Sequence, residues 1–147
     1  MATLNTTLTL TSTDAFTTKT LNHSVTDALT VEAPLADIST MNTDDNIGNG
    51  AGIILAESTS TDTYFVYIKH TGKLADGTTS SHASTDFIKV TNADGDTDFI
   101  KLQPEEFAFF PLNPFDGSDG GVEPGGLKVE SGSANEVRIE FAYFKRS

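Results

Sequence analysis

Two five-residue runs that begin twelve positions apart are nearly identical: Asp86-Phe87-Ile88-Lys89-Val90 and Asp98-Phe99-Ile100-Lys101-Leu102. Between them lies Asn92-Ala93-Asp94-Gly95-Asp96, in which the glycine supplies the positive φ that a tight turn requires. Alternating apolar residues on both sides of such a turn predict a β-hairpin. Four aliphatic side chains are expected to share its inner face: Ile88, Val90, Ile100 and Leu102.

The same two-residue period appears elsewhere in the chain. Residues 2–11 alternate Ala and Leu with mostly Thr, which is typical of a strand with one solvent-facing side. Residues 64–69 carry apolar side chains on both faces, so this strand is predicted to be central in its sheet. Residues 137–144 predict a long strand with one strongly apolar face that anchors the core. Further strands are predicted at 15–21, 28–33, 52–57, 107–110 and 127–130.

Short strands separated by Gly, Asn, Asp and Pro predict an all-β fold, an antiparallel sandwich or jelly roll with about eight to ten strands. At most one helical turn is expected, at Pro34–Met41, where the proline suits a first helical position. Exposed loops are predicted at Asn42–Gly52, Gly72–Ser84 and Pro111–Gly126.

The composition predicts one domain preceded by an arm. The length of 147 residues suits a single domain, and no segment resembles a linker long enough to divide the chain. Eleven threonines fall within residues 1–30, whereas the aromatic residues are concentrated beyond position 63. We therefore assign residues 1–13 to a Thr-rich strand or arm and residues 14–147 to the sandwich.

Charge and cysteine content exclude several classes of function. The chain carries 21 acidic and nine basic residues, a formal net charge of −12, which argues against binding to nucleic acid phosphates. It contains no cysteine, which excludes disulfides, zinc-thiolate sites and thiol chemistry. The longest aliphatic run, Ile53–Ala56, is too short to span a bilayer, and the first residues do not resemble a secretory signal. We expect no membrane association.

Two sets of residues suggest metal binding. His70 and His82 flank one loop and Asp86 follows it, an arrangement that a two-histidine, one-carboxylate site would use. The alternative is that these histidines are solvated loop residues. For calcium, Asp94, Asp96 and Asp98 alternate as at the start of an EF-hand loop.

An EF-hand is nevertheless excluded, because Phe99 stands where its loop glycine belongs. A looser cage of oxygen ligands remains open at these aspartates or at Asp116 and Asp119. The alternative is plain solvated turns, which Asp and Gly favour in any case. No cofactor is expected.

Contact with other chains is suggested by apolar residues of the N-terminal strand and of the aromatic stretch near residues 107–115. Within Phe107–Phe115, Phe107 and Phe109 share one strand face and Phe110 takes the other, so most of this stretch is expected in the core. Phe115 lies in a loop and either contacts another chain or folds back over the end of the sandwich. The candidate interface residues are Leu4, Leu8, Leu10, Leu112 and Phe115.

The arm at residues 2–11 has two possible roles. It pairs with the sheet edge of a neighbouring subunit, or it completes a sheet of its own chain. Neither role involves catalysis. The chain has no Gly-x-Ser-x-Gly motif, and the adjacent Glu105 and Glu106 are expected to point to opposite sides of the chain. We therefore expect a protein that is not an enzyme.

Three segments resemble small all-β structural proteins of tailed bacteriophages, especially marine ones: Tyr64–Gly72, Phe99–Leu112 and Val137–Phe144. In those proteins a "tyrosine, valine, tyrosine, isoleucine, lysine, asparagine, threonine, glycine" strand precedes a "leucine, proline, glycine, glutamate, phenylalanine" turn, and the closing strand ends in "glutamate, tyrosine". This chain has His70 where the pattern usually has asparagine and Glu105 where it usually has glycine.

The resemblance implies a virion component without a catalytic role, made in the cytoplasm of a host bacterium. We favour a capsid decoration or cement protein that contacts the major capsid protein or other virion proteins and forms a homo-oligomer. A tail, neck or fibre component is the alternative within the virion. A carbohydrate-binding β-sandwich module is disfavoured, because the chain has no tryptophan and its three tyrosines lie in predicted strands.

Overall fold

A computed structural model of the chain describes residues 2–13, 20–32, 39–45, 51–55, 63–82, 85–92, 97–112 and 126–146. These residues contain ten strands and no helix, which confirms the all-β prediction. The strands are β1 (Ala2–Ser12), β2 (Leu21–Val31), β3 (Ser39–Asn42), β4 (Ile53–Leu55), β5 (Tyr64–Leu74), β6 (Ile88–Asn92), β7 (Asp98–Leu102), β8 (Phe107–Leu112), β9 (Leu127–Ser131) and β10 (Val137–Lys145).

Strands β3 to β10 pair in a nested order. β6 pairs with β7, β5 with β8, β4 with β9 and β3 with β10, all antiparallel. The chain is therefore one long ribbon that doubles back at the β6–β7 hairpin. Wrapping this ribbon adds the pairs β5–β10 and β6–β9, which gives two four-stranded sheets in the orders β3-β10-β5-β8 and β4-β9-β6-β7. This arrangement of eight strands in two sheets is a jelly roll.

The hydrophobic core lies between the two sheets. Each of the eight strands contributes at least one buried apolar side chain, because alternate residues of a strand point to the same face. The fully buried members include Ile54, Val66, Ile68, Ile88, Val90, Leu127, Val129, Val137 and Ile139. Removal of that apolar surface from water is the main favourable contribution to folding.

The hairpin predicted from the repeated five-residue runs is confirmed. Ile88 lies opposite Leu102 and Val90 opposite Ile100, and all four side chains belong to the core or pack against it. The end of the hairpin is held by the Thr97 amide, which donates to the Asn92 side-chain oxygen at 2.9 Å. Residues 93–96, including Gly95, lie outside the described residues.

The predicted positions of β5 and β10 are also confirmed. β5 lies between β10 and β8, and β10 lies between β3 and β5. Both strands place aliphatic or aromatic side chains on the inner face, with Ile68 opposite Phe141. A strand with neighbours on both edges has its backbone hydrogen bonds satisfied within the sheet, so apolar residues are tolerated on both faces.

The helical turn expected at Pro34–Met41 is wrong at Ser39–Met41, which belongs to β3. Met41 lies opposite Ile139 and is buried in the core, so cross-strand pairing outweighs the local preference that Pro34 suggested. Residues 33–38 lie outside the described residues.

Other predicted bounds shift because strands extend further than their local sequence indicates. β2 begins at Leu21 rather than near residue 28, and β8 continues to Leu112. The loop predicted from Gly72 is wrong for its first residues, because β5 continues to Leu74, opposite Val137. The other loop predictions are partly described: Asn42 ends β3, whereas residues 46–50 and 113–125 lie outside the described residues.

A strained turn precedes β8. The Glu106 amide donates to the Gln103 carbonyl at 3.0 Å, with Pro104 and Glu105 at the two central positions. Glu105 has a φ of 71°, the left-handed region that a type II turn requires at its third residue and that favours glycine.

Replacement of Glu105 by glycine is therefore expected to raise the free energy of unfolding, by up to about 1 kcal/mol, because a non-glycine residue pays a steric cost in this region. Chemical denaturation of the wild type and Glu105→Gly measures the difference. Glu106→Gly is the matched control and should be destabilised, since it removes the carboxylate that accepts the Gln103 amide at 2.8 Å. A loss of stability in Glu105→Gly would contradict the strain argument.

Candidate interaction surface

The first two strands form a sheet of their own. β1 and β2 pair antiparallel along their entire length, from Ala2 opposite Val31 to Ser12 opposite Leu21. The arm is thus a hairpin that includes β2, whereas the sequence placed only residues 1–13 in the arm and assigned residue 14 onward to the sandwich. Of the two roles considered for β1, pairing within the chain is the one described, but with β2 alone rather than with a sandwich sheet.

One face of this hairpin is polar. Directly opposite residues share a face in an antiparallel pair, so threonines and serines of the two strands meet. The hydroxyls of Thr7 and Thr26 lie 3.0 Å apart, and those of Thr9 and Ser24 lie 3.2 Å apart. These cross-strand hydrogen bonds connect β1 and β2 on the solvent side.

The other face of the hairpin is mainly apolar and substantially exposed, with the pair Thr6 and Asp27 between its apolar pairs. It places Leu4 opposite Leu29 and Leu8 opposite Val25. Leu8 is 46% exposed and Val25 is 50% exposed, and Leu10 is exposed to a similar degree. The sequence predicted one solvent-facing side for β1. The structure shows that its leucine side is also partly exposed to solvent.

The base of the hairpin is fixed to the sandwich. Val31 is buried and forms an isolated β-bridge with Arg146, just after β10. The Glu32 amide donates to the Lys145 carbonyl at 2.9 Å, and the two side chains form an ion pair at 3.4 Å. The base of the hairpin is therefore attached to the sandwich beside the end of β10.

The outer face of the β3-β10-β5-β8 sheet is rich in aromatic side chains. Because strand residues alternate between faces, β5 and β8 carry core residues on one side and rings on the other. Tyr67 lies opposite Phe109, the Tyr67 and Phe107 ring centroids are 6.4 Å apart, and Phe65 stacks on Phe109 at 6.0 Å. We call this surface the aromatic face; its members are Phe65, Tyr67, Phe107, Phe109 and Phe144.

An apolar groove separates the hairpin from the aromatic face. Its wider part has a volume of about 400 Å³ and lies between Leu8 and Val25 of the hairpin and the rings of Phe107 and Phe109. A narrower part of about 180 Å³ continues toward Leu4 and shares Tyr67 and Phe109 with the first. Phe107 is 60% exposed to solvent, so the groove is open where it meets β8.

The charged group that lines this groove is acidic. Asp27 is the charged residue that lines its wider part. On the sheet side, the Tyr67 hydroxyl donates to the Glu140 carboxylate at 3.5 Å. Burial first, and the Glu140 charge second, raise the pKa of Tyr67, so its hydroxyl stays protonated and remains a donor.

The candidate interface residues fall into three groups. Leu4 and Leu8 line the groove, and Leu10 lies on the same face of the hairpin. Leu112 is only 6% exposed and packs in the core, so its assignment to an interface is wrong: it is an inward-pointing residue of β8. Phe115 lies outside the described residues.

Sequence analysis missed the sheet side of this surface. Phe107 and Phe109 were expected in the core, yet they lie on the outer face. Their alternation with Ala108 and Phe110 predicted two faces correctly, but nothing in that pattern indicates that the second face lacks a covering sheet. Val25 was missed because the strand was predicted to start after it.

The histidines considered as metal ligands form a structural cluster with Asp86. His70 is buried, its Nε2 donates to the Asp86 carbonyl oxygen at 2.6 Å, and its Nδ1 accepts the Gly72 amide at 3.0 Å. Both ring nitrogens are therefore engaged, and the ring is held neutral. His82 contributes its main chain, because its amide donates to the Asp86 carboxylate at 2.7 Å.

The Asp86 carboxylate is satisfied by neutral donors. Asn135 donates to it at 3.0 Å and Ser133 at 3.2 Å, from the loop before β10. These hydrogen bonds, with that of the His82 amide the largest, lower the pKa of Asp86. The cluster thus holds two loops together, and the described part of the chain contains no group of His, Cys, Asp and Glu that would bind a metal.

The calcium candidates are only partly described. Asp98 begins β7 and forms an ion pair with Lys89 at 2.7 Å, and that hydrogen bond raises the pKa of Lys89. The other candidates, Asp94, Asp96, Asp116 and Asp119, lie outside the described residues. Asp98, the calcium candidate that lies within the described residues, therefore pairs with a lysine across the hairpin.

Comparison of the chain with protein-family models, with curated proteins and with solved structures found no significant match. In the segments that the structure describes, no helix is long and apolar enough to cross a membrane.

The buried His70 predicts a specific pH dependence. Burial lowers its pKa, so below about pH 6.5 the unfolded chain binds a proton that the folded chain does not. The free energy of unfolding should fall as the pH decreases through this range. Urea denaturation at several values from about pH 8 to about pH 5.5 measures the slope.

Two variants test whether His70 causes the dependence of the free energy of unfolding on pH. His70→Asn, which removes the buried imidazole, should flatten the slope, whereas His82→Asn, at an exposed side chain, should leave it unchanged. An equal slope in wild type and His70→Asn would show that another group is responsible. The contribution of Asp86 is separable, because its lowered pKa affects stability only in more acidic solution.

Proposed function

We propose that this protein is a structural component of a phage virion, a capsid decoration or cement protein that stabilises the head shell through protein–protein contacts. The observation that carries the proposal is the open apolar groove between the N-terminal hairpin and the aromatic face. Contiguous exposed apolar surface of this kind is typical of interaction sites on soluble proteins.

The fold supports the proposal without deciding it. Jelly rolls occur in viral capsid proteins, and also in lectins and cupins, so function must be argued from the surface. The segments that resemble phage structural proteins form most of β5, β7 and β10 together with β8 and the turn before it, and β5, β8 and β10 carry the aromatic face. Glu105 takes the positive φ at the turn position where those proteins usually have glycine.

Exposed side chains at the groove would gain most from a partner. Covering apolar surface contributes about 25 cal/mol per Å². Because Leu8, Val25 and Phe107 are each about half exposed, a partner that covers them stabilises both the contact and the hairpin. A ligand that binds only the assembled shell would stabilise that shell by the same mass-action argument, which is the action of a cement protein.

The acidic character indicates the kind of shell surface that fits. Copies that each carry −12 repel one another when crowded, whereas a basic patch on the shell attracts them. Such an attraction weakens as salt screens the charges, over about 8 Å at physiological ionic strength. Binding that strengthens with salt would instead indicate contacts between like-charged copies.

Purified particles provide the direct test. We expect the chain as a stoichiometric component of the virion, located on the outside of the head in a density map. Heads that lack it should lose resistance to heat, and added purified protein should restore it. Its absence from purified particles would refute a virion role, density on the tail or neck would assign it there, and specific binding to a glycan array would favour the carbohydrate module.

Two hairpin variants test whether the groove makes the contact. Val25→Asp places a charge on the apolar face and should weaken rebinding to heads at least about tenfold, which corresponds to about 1.4 kcal/mol. Ala28→Asp adds the same charge to the polar face, at an exposed residue opposite Asn5, and should rebind like the wild type. Circular dichroism and thermal melting confirm that both variants fold. Equal rebinding of the two variants would mean that the groove is not the contact.

A further inference from the structure

The strand next to the groove is an open sheet edge. β8 is the last strand in the order β3-β10-β5-β8, and the described residues place no strand on its outer side. An edge strand presents main-chain donors and acceptors that an extended segment of another protein can use. The groove and this edge meet at Phe107 and Phe109.

The direction of the main-chain groups follows from a hydrogen bond at the start of β8. The Glu106 carbonyl accepts the His70 amide at 3.0 Å, so the main chain of Glu106 is directed toward β5. This direction alternates along an antiparallel strand, so Phe107 and Phe109 direct their main-chain groups to the open edge. Pro111, the next residue of this set, has no N–H and suits an edge position. The edge thus offers donors at two successive outward-facing residues.

The side chains of the same residues border the groove. A strand that pairs with β8 would place every second side chain on the outer face, beside Phe107 and Phe109 and facing Leu8 and Val25. The wider part of the groove, about 400 Å³, is within the range of small binding pockets. Main-chain pairing at the edge and side-chain insertion in the groove therefore reinforce each other.

The charges around the groove select a basic segment. Asp27 lines it on the hairpin side, and Glu140 accepts the Tyr67 hydroxyl on the sheet side. Lys69 lies on β5 with Phe107 opposite it on one side and Glu140 on the other, so the charges of Lys69 and Glu140 offset each other within the sheet. Asp27 supplies the charge that remains at the groove. A lysine or arginine of the partner near Asp27 would be attracted, and the net charge of −12 adds to that attraction.

A second copy of the chain fits less well. It carries the same net charge of −12, so the two would repel. Its uncharged alternating strand, β1, is already paired with β2 over its entire length. The favoured occupant is thus a different protein.

We infer that the outer edge of β8 and the adjoining groove bind an extended segment of a partner protein, in which alternate aliphatic residues enter the groove and a basic residue lies beside Asp27. The segment becomes a fifth strand of the β3-β10-β5-β8 sheet. The inference rests on the proposed contact function and specifies what the shell protein contributes to it.

Selection from a library of random displayed peptides of about twelve residues, long enough for one strand, tests the inference on the purified chain. We expect enriched peptides to alternate aliphatic residues and to contain lysine or arginine. Synthetic copies should protect the Phe107 and Phe109 amides from hydrogen exchange. Their affinity should fall at least about tenfold for Phe107→Ser and measurably for Asp27→Asn.

Phe99→Ser is the matched control, because Phe99 is 38% exposed, as is Phe109, but lies on β7 of the other sheet. Peptides should bind this variant like the wild type. The inference is overturned if no peptide is enriched, if enriched peptides are acidic, or if their binding ignores Phe107→Ser. It is also overturned if the chain forms a dimer that Phe107→Ser dissociates. These results concern isolated protein, so they leave the presence of the chain in particles to be decided separately.

Discussion

The pairing of β5 with β10 is the interaction on which the rest of the structure depends. It joins the two halves of the doubled ribbon into one sheet and sets Ile68 against Phe141 on the core side. The same register places Tyr67 opposite Ala142 on the outer side, where the rings of β8 extend the aromatic face. The paired region ends at Lys145, next to Arg146, whose bridge to Val31 anchors the hairpin. It also includes His70, whose cluster with Asp86 fixes the loops.

The N-terminal hairpin combines complete main-chain pairing with poor side-chain coverage. Isolated two-stranded sheets are marginally stable in water, because one ladder of hydrogen bonds does not replace a core. Here hydroxyl pairs join β1 and β2 on the polar face, and the Val31 bridge attaches the base of the hairpin to the sandwich. The leucine face, by contrast, is only partly covered by the rest of the chain. The hairpin is thus held in position while its apolar side remains available, which is the property expected of a surface that binds another protein.

The sequence predicted only part of the candidate site, because local alternation shows the two faces of a strand but not which face is covered. Leu4 and Leu8 were identified because their alternation with threonine is local. Leu112 was misassigned, and Phe107 was expected in the core, because the two differ only in which face of β8 they occupy. Which face is covered depends on the sheet packed against it, and that sheet comes from residues distant in the chain. The hydrogen bonds of Asp86 likewise join residues separated by nearly fifty positions.

The sequence by itself determined most of the extended segments, their two faces and the β6–β7 hairpin, because the two-residue period and the turn residues act over a few neighbouring positions. It also determined the acidity and the absence of cysteine chemistry. Only the tertiary structure decided that β1 pairs with β2, that Ser39–Met41 is a strand, and that β8 is an edge with exposed rings. Those outcomes depend on long-range pairing, in which hydrogen bonds and burial between distant segments outweigh local preference.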